Sequence, residues 1–97
     1  MALEIKWTPQ ADTGLAIVIE YLEAEWTFRE ILQLEENINQ VIKQISHFPD
    51  LYPKSKSFKN LHKATIDRNN YLVYQVNYKK SCIEIINFRG TKQKPKY

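Results

Sequence analysis

The sequence predicts an α+β fold, in which a helical hairpin packs against a mostly antiparallel, twisted β-sheet. The first residues alternate in character with a period of two, two long segments follow with helical apolar spacing, and three β-rich segments complete the chain. We therefore expect the element order β-α-α-β-β-β. A chain of 97 residues has room for one hydrophobic core, so residues 1–97 are predicted to form a single domain, with a short basic tail from about residue 90.

The first strand and the first helix follow from residues 2–26. Apolar side chains recur at every second position from Leu3 to Trp7, which is typical of a short strand with one buried face. Thr8 suits a helix N-cap and Pro9 suits the first helical position, where its missing N–H has no partner to lose. Helical apolar spacing then continues to about residue 25. Trp7 and Trp26 lie on these apolar stripes, and we expect both to anchor the core.

The second helix is predicted to begin at a capping box formed by Thr27 and Glu30, whose spacing allows both side chains to pair with free backbone N–H groups. Apolar residues recur at helical spacing from Phe28 to Ile45, and Pro49 prevents the helix from continuing. The two helices should therefore run antiparallel and cover one face of the sheet. The other face would be left for function.

Three strands are predicted after a loop at residues 49–57, at about 58–66, 71–78 and 82–88. Short polar segments at 67–70 and 79–81 would form the turns between them. The last strand is apolar on both faces, because Ile83, Ile85, Ile86 and Phe88 include both odd and even positions. We therefore expect this strand to be central in the sheet.

Charge is divided between the two halves of the chain. Residues 1–52 contain nine acids and three bases, whereas residues 53–97 contain eleven bases and two acids, so the net charge of +3 conceals a strongly basic half. Such a half predicts a positive surface suited to nucleic acid, to a ribosome or to an acidic protein partner. The alternative is a lysine-rich face that only contacts solvent.

Several functional classes are disfavoured by composition. Cys82 is the only cysteine, so no internal disulfide forms, and a thiol on an apolar strand is predicted to fill the core. His47, His62 and Cys82 lack the paired spacing of metal ligands, and two isolated glycines form no phosphate loop, so we expect no metal and no cofactor. The chain contains no long apolar run and starts without a secretory signal, which predicts no membrane contact and a cytoplasmic location.

Basic residues of the second half form the candidate site. Adjacent strand positions point to opposite faces, so His62 and Lys63 cannot both contribute to one site. Cations around a cleft can hold a phosphodiester and stabilise its transition state, while His62 could exchange protons with a ribose hydroxyl. The same residues would equally suit simple binding to phosphates or carboxylates. Strand tyrosines such as Tyr71 could stack on bases, although most strand tyrosines serve packing, and a terminal Tyr97 is not needed by a core.

Several short motifs, in this order and spacing, resemble the RelE/ParE superfamily of type II toxin-antitoxin toxins, also labelled plasmid stabilisation proteins. In the first half the motifs are Ile5-Lys6-Trp7-Thr8, Ile19-Glu20-Tyr21-Leu22 and Ile45-Ser46-His47-Phe48-Pro49. In the second half they are Leu61-His62-Lys63, Asn70-Tyr71-Leu72-Val73-Tyr74-Gln75-Val76, Ile83-Glu84-Ile85-Ile86-Asn87-Phe88 and Thr91-Lys92-Gln93-Lys94-Pro95. The last motif is similar to the family ending Thr-Arg-Gln-Asn-Pro.

The resemblance implies a bacterial toxin whose active surface is blocked by a cognate acidic antitoxin, within a hetero-oligomer of the two proteins. In the RelE branch the toxin cuts messenger RNA on the ribosome without metal, and in the ParE branch it poisons DNA gyrase. This sequence has Lys92 where the ending usually has arginine, and His62 where many members have arginine. Because lysine lacks the bidentate fork of arginine, the departures favour a gyrase-directed toxin over a nuclease.

The sequence thus leaves three functions open: a growth-inhibiting toxin with gyrase as the preferred target, a metal-independent endoribonuclease acting on ribosome-bound mRNA, and an inactive antitoxin-binding module. For either active form, the predicted catalytic residues are Arg89, Lys92 and His62. The predicted target-binding residues are Lys54, Lys56, Lys59 and Tyr97.

Overall fold

The computed structural model describes residues 2–56 and 60–90, and the predicted order of elements is confirmed there. The elements are β1 (Glu4–Trp7), α1 (Pro9–Glu25), α2 (Phe28–His47), β2 (His62–Asp67), β3 (Asn70–Asn77) and β4 (Cys82–Gly90). The predicted second strand was to start near residue 58, but β2 starts at His62, and residues 57–59 lie outside the described residues. The predicted basic tail beyond Gly90 also lies outside them.

The four strands form one mixed sheet in the order β1-β4-β3-β2. β1 runs parallel to β4, while β4, β3 and β2 are joined by antiparallel pairing. The predicted central position of the last strand is confirmed, because β4 has a partner on each side. A register shift between β3 and β4 sets Ile85 opposite Tyr74 and Asn87 opposite Val73, so that Ile86 is an extra residue in β4.

The hydrophobic core lies between the helices and one face of this sheet. α1 contacts β4, and α2 contacts β2 and β1. Alternate strand positions supply the sheet side of the core, as expected for side chains that point to opposite faces in turn. The fully buried side chains include Ile45 of α2, Leu72 and Tyr74 of β3, and Ile83, Ile85 and Phe88 of β4. The Cys82 side chain is also buried, as predicted for a core-filling thiol.

The start of α1 is attached to β4 by side-chain and backbone contacts. The Thr8 hydroxyl accepts a hydrogen bond from the Ala11 N–H at 3.2 Å and donates one to the Ile85 carbonyl at 2.7 Å. Thr8 therefore caps the helix, as predicted, and also joins it to the sheet. One turn later, Gly14 lies so close to β4 that a Cβ atom there would be 2.2 Å from the Phe88 carbonyl oxygen.

The start of α2 uses the predicted pair of Thr27 and Glu30. The Glu30 carboxylate accepts a hydrogen bond from the Thr27 N–H at 3.0 Å and a short one from the Thr27 hydroxyl. The hydroxyl bond is the main reason that the pKa of Glu30 lies below its ordinary value of 4.5. An anionic side chain in the first turn also interacts favourably with the helix dipole.

The two tryptophans differ from each other in burial. Trp7 is partly buried against the core, with its ring centroid 6.4 Å from that of Phe88. The predicted core role of Trp26 is wrong, because its side chain is 53% exposed. Trp26 is the C-cap of α1 and has an extended backbone, so it no longer follows the helical stripe that the spacing indicated. It lines, together with Tyr21, a hollow of about 220 Å³ between the helical hairpin and the β2–β3 turn.

The helices within residues 2–56 and 60–90 are too short or too polar to form a bilayer crossing.

Candidate functional site

The sheet face opposite the helices carries a lysine next to a tyrosine. In β2, Lys63 and Thr65 are exposed, whereas His62, Ala64 and Ile66 are buried. Lys63 therefore points away from the core, and its Nζ atom lies 4.4 Å from the centroid of the Tyr71 ring in β3. At this distance the ammonium group interacts with the negative face of the ring.

Arg89 lies on the other side of the same tyrosine. Tyr71 pairs with Thr65 of β2 and with Arg89 of β4, so directly opposed side chains share one face. Lys63 and Arg89 are two strands apart across the sheet and two residues apart along it. Their backbones are therefore about 12 Å from each other. Their long side chains can reach one anion between them. We call Lys63, Tyr71 and Arg89 the open-face cluster.

The charged end of Arg89 is available to a ligand. Arg89 is exposed, and its side chain makes no hydrogen bond or ion pair with the residues that the structure describes. Further along the same face, Gln75 donates a hydrogen bond from Nε2 to the Glu84 carboxylate at 2.8 Å. The open-face cluster therefore forms a cationic end of the sheet, and Glu84 makes the other end less favourable for an anion.

His62 does not lie on the open face. Its side chain is only 5% exposed, and its ring is stacked on the Tyr74 ring with 4.8 Å between centroids and 11° between planes. The Nδ1 atom is 2.7 Å from the Tyr52 carbonyl oxygen. Because a carbonyl can only accept a hydrogen bond, Nδ1 carries a proton and donates it. The proton-transfer role predicted for His62 stays a prediction, and the geometry gives its ring a packing contact instead.

The described loop lysines lie at the edge of the sheet, apart from Arg89. Lys54 forms an isolated antiparallel bridge with His62, so it extends the sheet beyond β2. Lys54 is three strand spacings from Arg89 across the sheet and three residues from it along the strand direction. The two backbones are therefore roughly 17 Å apart. Lys54 and Lys56 are both exposed. They do not share one anion site with Arg89, but both lie where an elongated anionic ligand could continue past β2.

Three predicted site residues lie outside the described residues, namely Lys59, Lys92 and Tyr97. Of the remaining four, Arg89 is on the open face, Lys54 and Lys56 are at the edge, and His62 is inside. Sequence reasoning weighed Lys63 against His62 and chose His62, whereas Lys63 is the residue on the open face. A usable signal was present, since Ala64 and Ile66 have the same strand parity as His62 and are the more apolar set.

Tyr74 lies beneath the open face, on the core side of β3. Burial raises the pKa of Tyr74 to about 12, by more than its hydrogen bond with the Tyr52 backbone lowers it. The phenol therefore stays protonated and donates a hydrogen bond to the Pro49 carbonyl at 2.6 Å.

Among residues 2–56 and 60–90, no three His, Cys, Asp or Glu side chains are grouped so that they could hold a metal ion.

The architecture is a RelE-like fold, with two helices on a four-stranded mixed sheet. A chain of the RelBE2 toxin-antitoxin complex of Mycobacterium tuberculosis superimposes with a TM-score of 0.66 at 12% identity, covering 93% of this chain and 99% of that one. The Staphylococcus aureus YoeB dimer gives a TM-score of 0.62 at 21% identity, covering 92% and 97%. A mutant of the Escherichia coli toxin RelE in the free state gives 0.61 at 15% identity, covering 95% and 86%.

The resemblance inferred from the sequence motifs is therefore confirmed for the fold. At the level of sequence, no family model matches this chain, and no curated protein matches it.

Proposed function

We propose that this protein is the toxin of a type II toxin-antitoxin module and that its open-face cluster binds the backbone of RNA. The observation that carries the proposal is the cluster itself, with the Lys63 ammonium 4.4 Å from the Tyr71 ring and Arg89 paired across the strands with that ring. Two cations next to an aromatic ring match the needs of a single-stranded nucleic acid, whose phosphates attract cations and whose bases stack on rings.

The chemistry available to the cluster supports phosphodiester cleavage as well as binding. The Arg89 guanidinium can donate two parallel hydrogen bonds to phosphate oxygens, and the Lys63 ammonium adds a second positive charge. Charge that develops on the phosphorus oxygens in the transition state would be stabilised by both groups. We propose ribosome-bound messenger RNA as the substrate, in keeping with the RelE-like fold, and Lys92, which follows β4 in the sequence, as a further cation.

The location of His62 bears on the preference for gyrase that the sequence indicated. The sequence favoured gyrase because His62 and Lys92 replaced arginines. Since His62 is turned into the protein while Lys63 occupies the open face, the first replacement no longer counts against an RNA site. The Lys92 replacement still does, and it supports gyrase as a second candidate target.

An antitoxin partner is part of the proposal. Several solved neighbours are toxin-antitoxin complexes, among them YoeB-YefM of Staphylococcus aureus and the archaeal RelE-RelB complex of Pyrococcus horikoshii. An acidic antitoxin segment placed over the open face would neutralise Lys63 and Arg89, and opposite charges would speed its association. We place this pair of proteins in the cytoplasm.

The test uses the whole chain, expressed from a tightly repressed promoter and also added to ribosomes that carry a defined messenger RNA. We expect growth arrest and cut messenger RNA, and we expect Arg89→Ala to lower the cleavage rate about 100-fold, as for loss of one charge-stabilising donor. Lys80→Ala, in the β3–β4 turn, removes one exposed lysine as the matched control and should cleave normally.

Other outcomes identify the alternatives. Growth arrest with intact messenger RNA and with gyrase-linked breaks in plasmid DNA would replace RNA by gyrase as the target. A folded protein that neither arrests growth nor cuts RNA would be an antitoxin-binding module without toxic activity.

A further inference from the structure

We infer that His62 and Tyr74 are positioning residues, which hold the described loop at residues 49–56 against the sheet and so fix Lys54 and Lys56 at its edge. The inference deepens the proposed function, because the two lysines matter only if an anionic ligand continues past β2. It assigns to His62 a task that differs from proton transfer.

The two rings form one rigid unit inside the protein. His62 and Tyr74 are paired across β2 and β3, and their rings are stacked with centroids 4.8 Å apart. Their side chains are 5% and 0% exposed. Two neighbouring aromatic rings in a packed interior have few alternative rotamers, so they offer fixed hydrogen-bond donors.

Each ring donates one hydrogen bond to the loop. The His62 Nδ1 atom lies 2.7 Å from the Tyr52 carbonyl, and the Tyr74 hydroxyl lies 2.6 Å from the Pro49 carbonyl. The loop is therefore held at two points separated by three residues. Both donor side chains are buried, and loss of either donor leaves a partly buried carbonyl without this partner.

Backbone bonds then extend this attachment to Lys54. The Ser55 N–H donates to the Leu61 carbonyl at 2.6 Å, and the Lys63 N–H approaches the Pro53 carbonyl at 3.4 Å. Lys54 lies between these two attached residues and bridges to His62. Its exposed side chain therefore starts from a fixed backbone.

The hydrogen bond of His62 does not depend on its charge. Nδ1 carries a proton in the imidazolium and in the neutral tautomer that fits a carbonyl, so the bond to Tyr52 is kept in both states. A catalytic role requires the ring to gain and lose a proton at the reacting atoms. A positioning role requires only a donor at the place of Nδ1.

Two substitutions of His62 distinguish a positioning role from a catalytic one. In His62→Asn, the side-chain amide can place an N–H close to the position of Nδ1. In His62→Phe, the stacked ring is kept and the donor is lost. Ile66→Val, a small reduction of the core in the same strand, is the control for general loss of stability.

The first measurement is amide hydrogen exchange of the intact protein. We expect His62→Phe and Tyr74→Phe to speed exchange of the loop amides, including that of Ser55, by about 5- to 30-fold. Exchange of the β3 amides should change no more in these variants than it does in Ile66→Val. His62→Asn should stay closer to wild type than His62→Phe. Loop exchange equal to the Ile66→Val control in both phenylalanine variants would overturn the inference.

The second measurement links the loop to the ligand, with a short fluorescent single-stranded RNA as the probe. Lys54→Ala should weaken binding in the wild-type background and have a clearly smaller effect in the His62→Phe background, because the lysine is no longer held in place. Equal effects in the two backgrounds would overturn the inference even if exchange changes. Failure of the wild-type protein to bind the RNA would contradict the proposed function, whereas the exchange result would still decide the positioning role.

A final comparison separates positioning from catalysis. If growth arrest and RNA cleavage survive His62→Asn but fall in His62→Phe, His62 acts through the loop. Complete loss of cleavage in His62→Asn with unchanged loop exchange would make His62 a catalytic residue and overturn the inference.

Discussion

Lys63 and Tyr71 meet across β2 and β3, with the lysine ammonium 4.4 Å from the centroid of the tyrosine ring. This contact orients a flexible cation on the open face, and Tyr71 in turn pairs with Arg89. The ring thus lies between two positive groups and can offer an edge or a face to a base.

The open-face cluster should contribute to RNA binding as a unit. We expect Lys63→Ala and Arg89→Ala each to weaken binding of single-stranded RNA and to lower the slope of log K against log salt by about 0.7, the value for one phosphate contact. Fluorescence anisotropy at several salt concentrations measures both effects. Lys80→Ala should leave the slope unchanged, and an unchanged slope in both cluster variants would remove these cations from the interface.

Gly14 should not tolerate a side chain. A Cβ atom at this position would be 2.2 Å from the Phe88 carbonyl oxygen, so α1 and β4 would have to separate. We expect Gly14→Ala to destabilise the protein by about 1–2 kcal/mol, although alanine is the better helix former by about 1 kcal/mol. Urea unfolding measures the change.

Ala16→Gly is the matched control for Gly14→Ala. Ala16 is exposed on the same helix, so its replacement should cost about 1 kcal/mol through helix propensity alone. If Gly14→Ala proved more stable than wild type, the close approach of α1 to β4 would be contradicted.

Thr8 should stabilise the fold through two hydrogen bonds of one hydroxyl. Thr8→Val keeps the shape of the side chain but removes the cap on Ala11 and the donor to Ile85. We expect a loss of about 1–2 kcal/mol in thermal or urea unfolding. Thr13→Val, at an exposed position of α1, should change the stability by less than about 0.5 kcal/mol. Equal losses in the two variants would show that the Thr8 bonds add nothing to stability.

Glu30 should make the stability depend on pH in the acidic range. The pKa of Glu30 is lowered in the folded protein, mainly by the Thr27 hydroxyl, from an ordinary value of 4.5. The folded state therefore favours the carboxylate, and this contribution is present above about pH 4.5 and disappears as the pH falls through the lower folded pKa.

The variant Glu30→Gln should accordingly lose stability at neutral pH and show a flatter decline of unfolding free energy below pH 4.5 than the wild type. Urea unfolding at a series of pH values measures this. Glu36→Gln, on the exposed side of the same helix, is the control. An identical pH profile for Glu30→Gln and wild type would contradict the contribution of Glu30.

Much of the fold could be predicted from local patterns. Period-two alternation in β1, the caps at Thr8 and Thr27, and the two-faced apolar character of β4 each reflect a physical rule that acts within a few residues. Trp26 was misjudged because helical spacing was continued past the end of α1, where the backbone is already extended. The second strand of the chain was predicted to start at about residue 58, whereas β2 starts at His62.

The site was less predictable because it depends on faces and distances. Both His62 and Lys63 were candidates, and the apolar Ala64 and Ile66, which share the strand parity of His62, already indicated that Lys63 faces outward. The loop lysines were grouped with Arg89 by their shared charge. Their separation follows from sheet order, which places two strands between the loop and β4, and no short-range pattern specifies that order.

The parallel pairing of β1 with β4 has a consequence for synthesis of the protein. Glu4 pairs with Cys82, and Trp7 pairs with Ile85, so the first strand finds its neighbour only in the last one. Because such distant pairing must wait until the partner segment exists, a growing polypeptide on the ribosome cannot complete this sheet before β4 has been translated. Arg89 lies in β4, so the open-face cluster is also incomplete until that strand has been added.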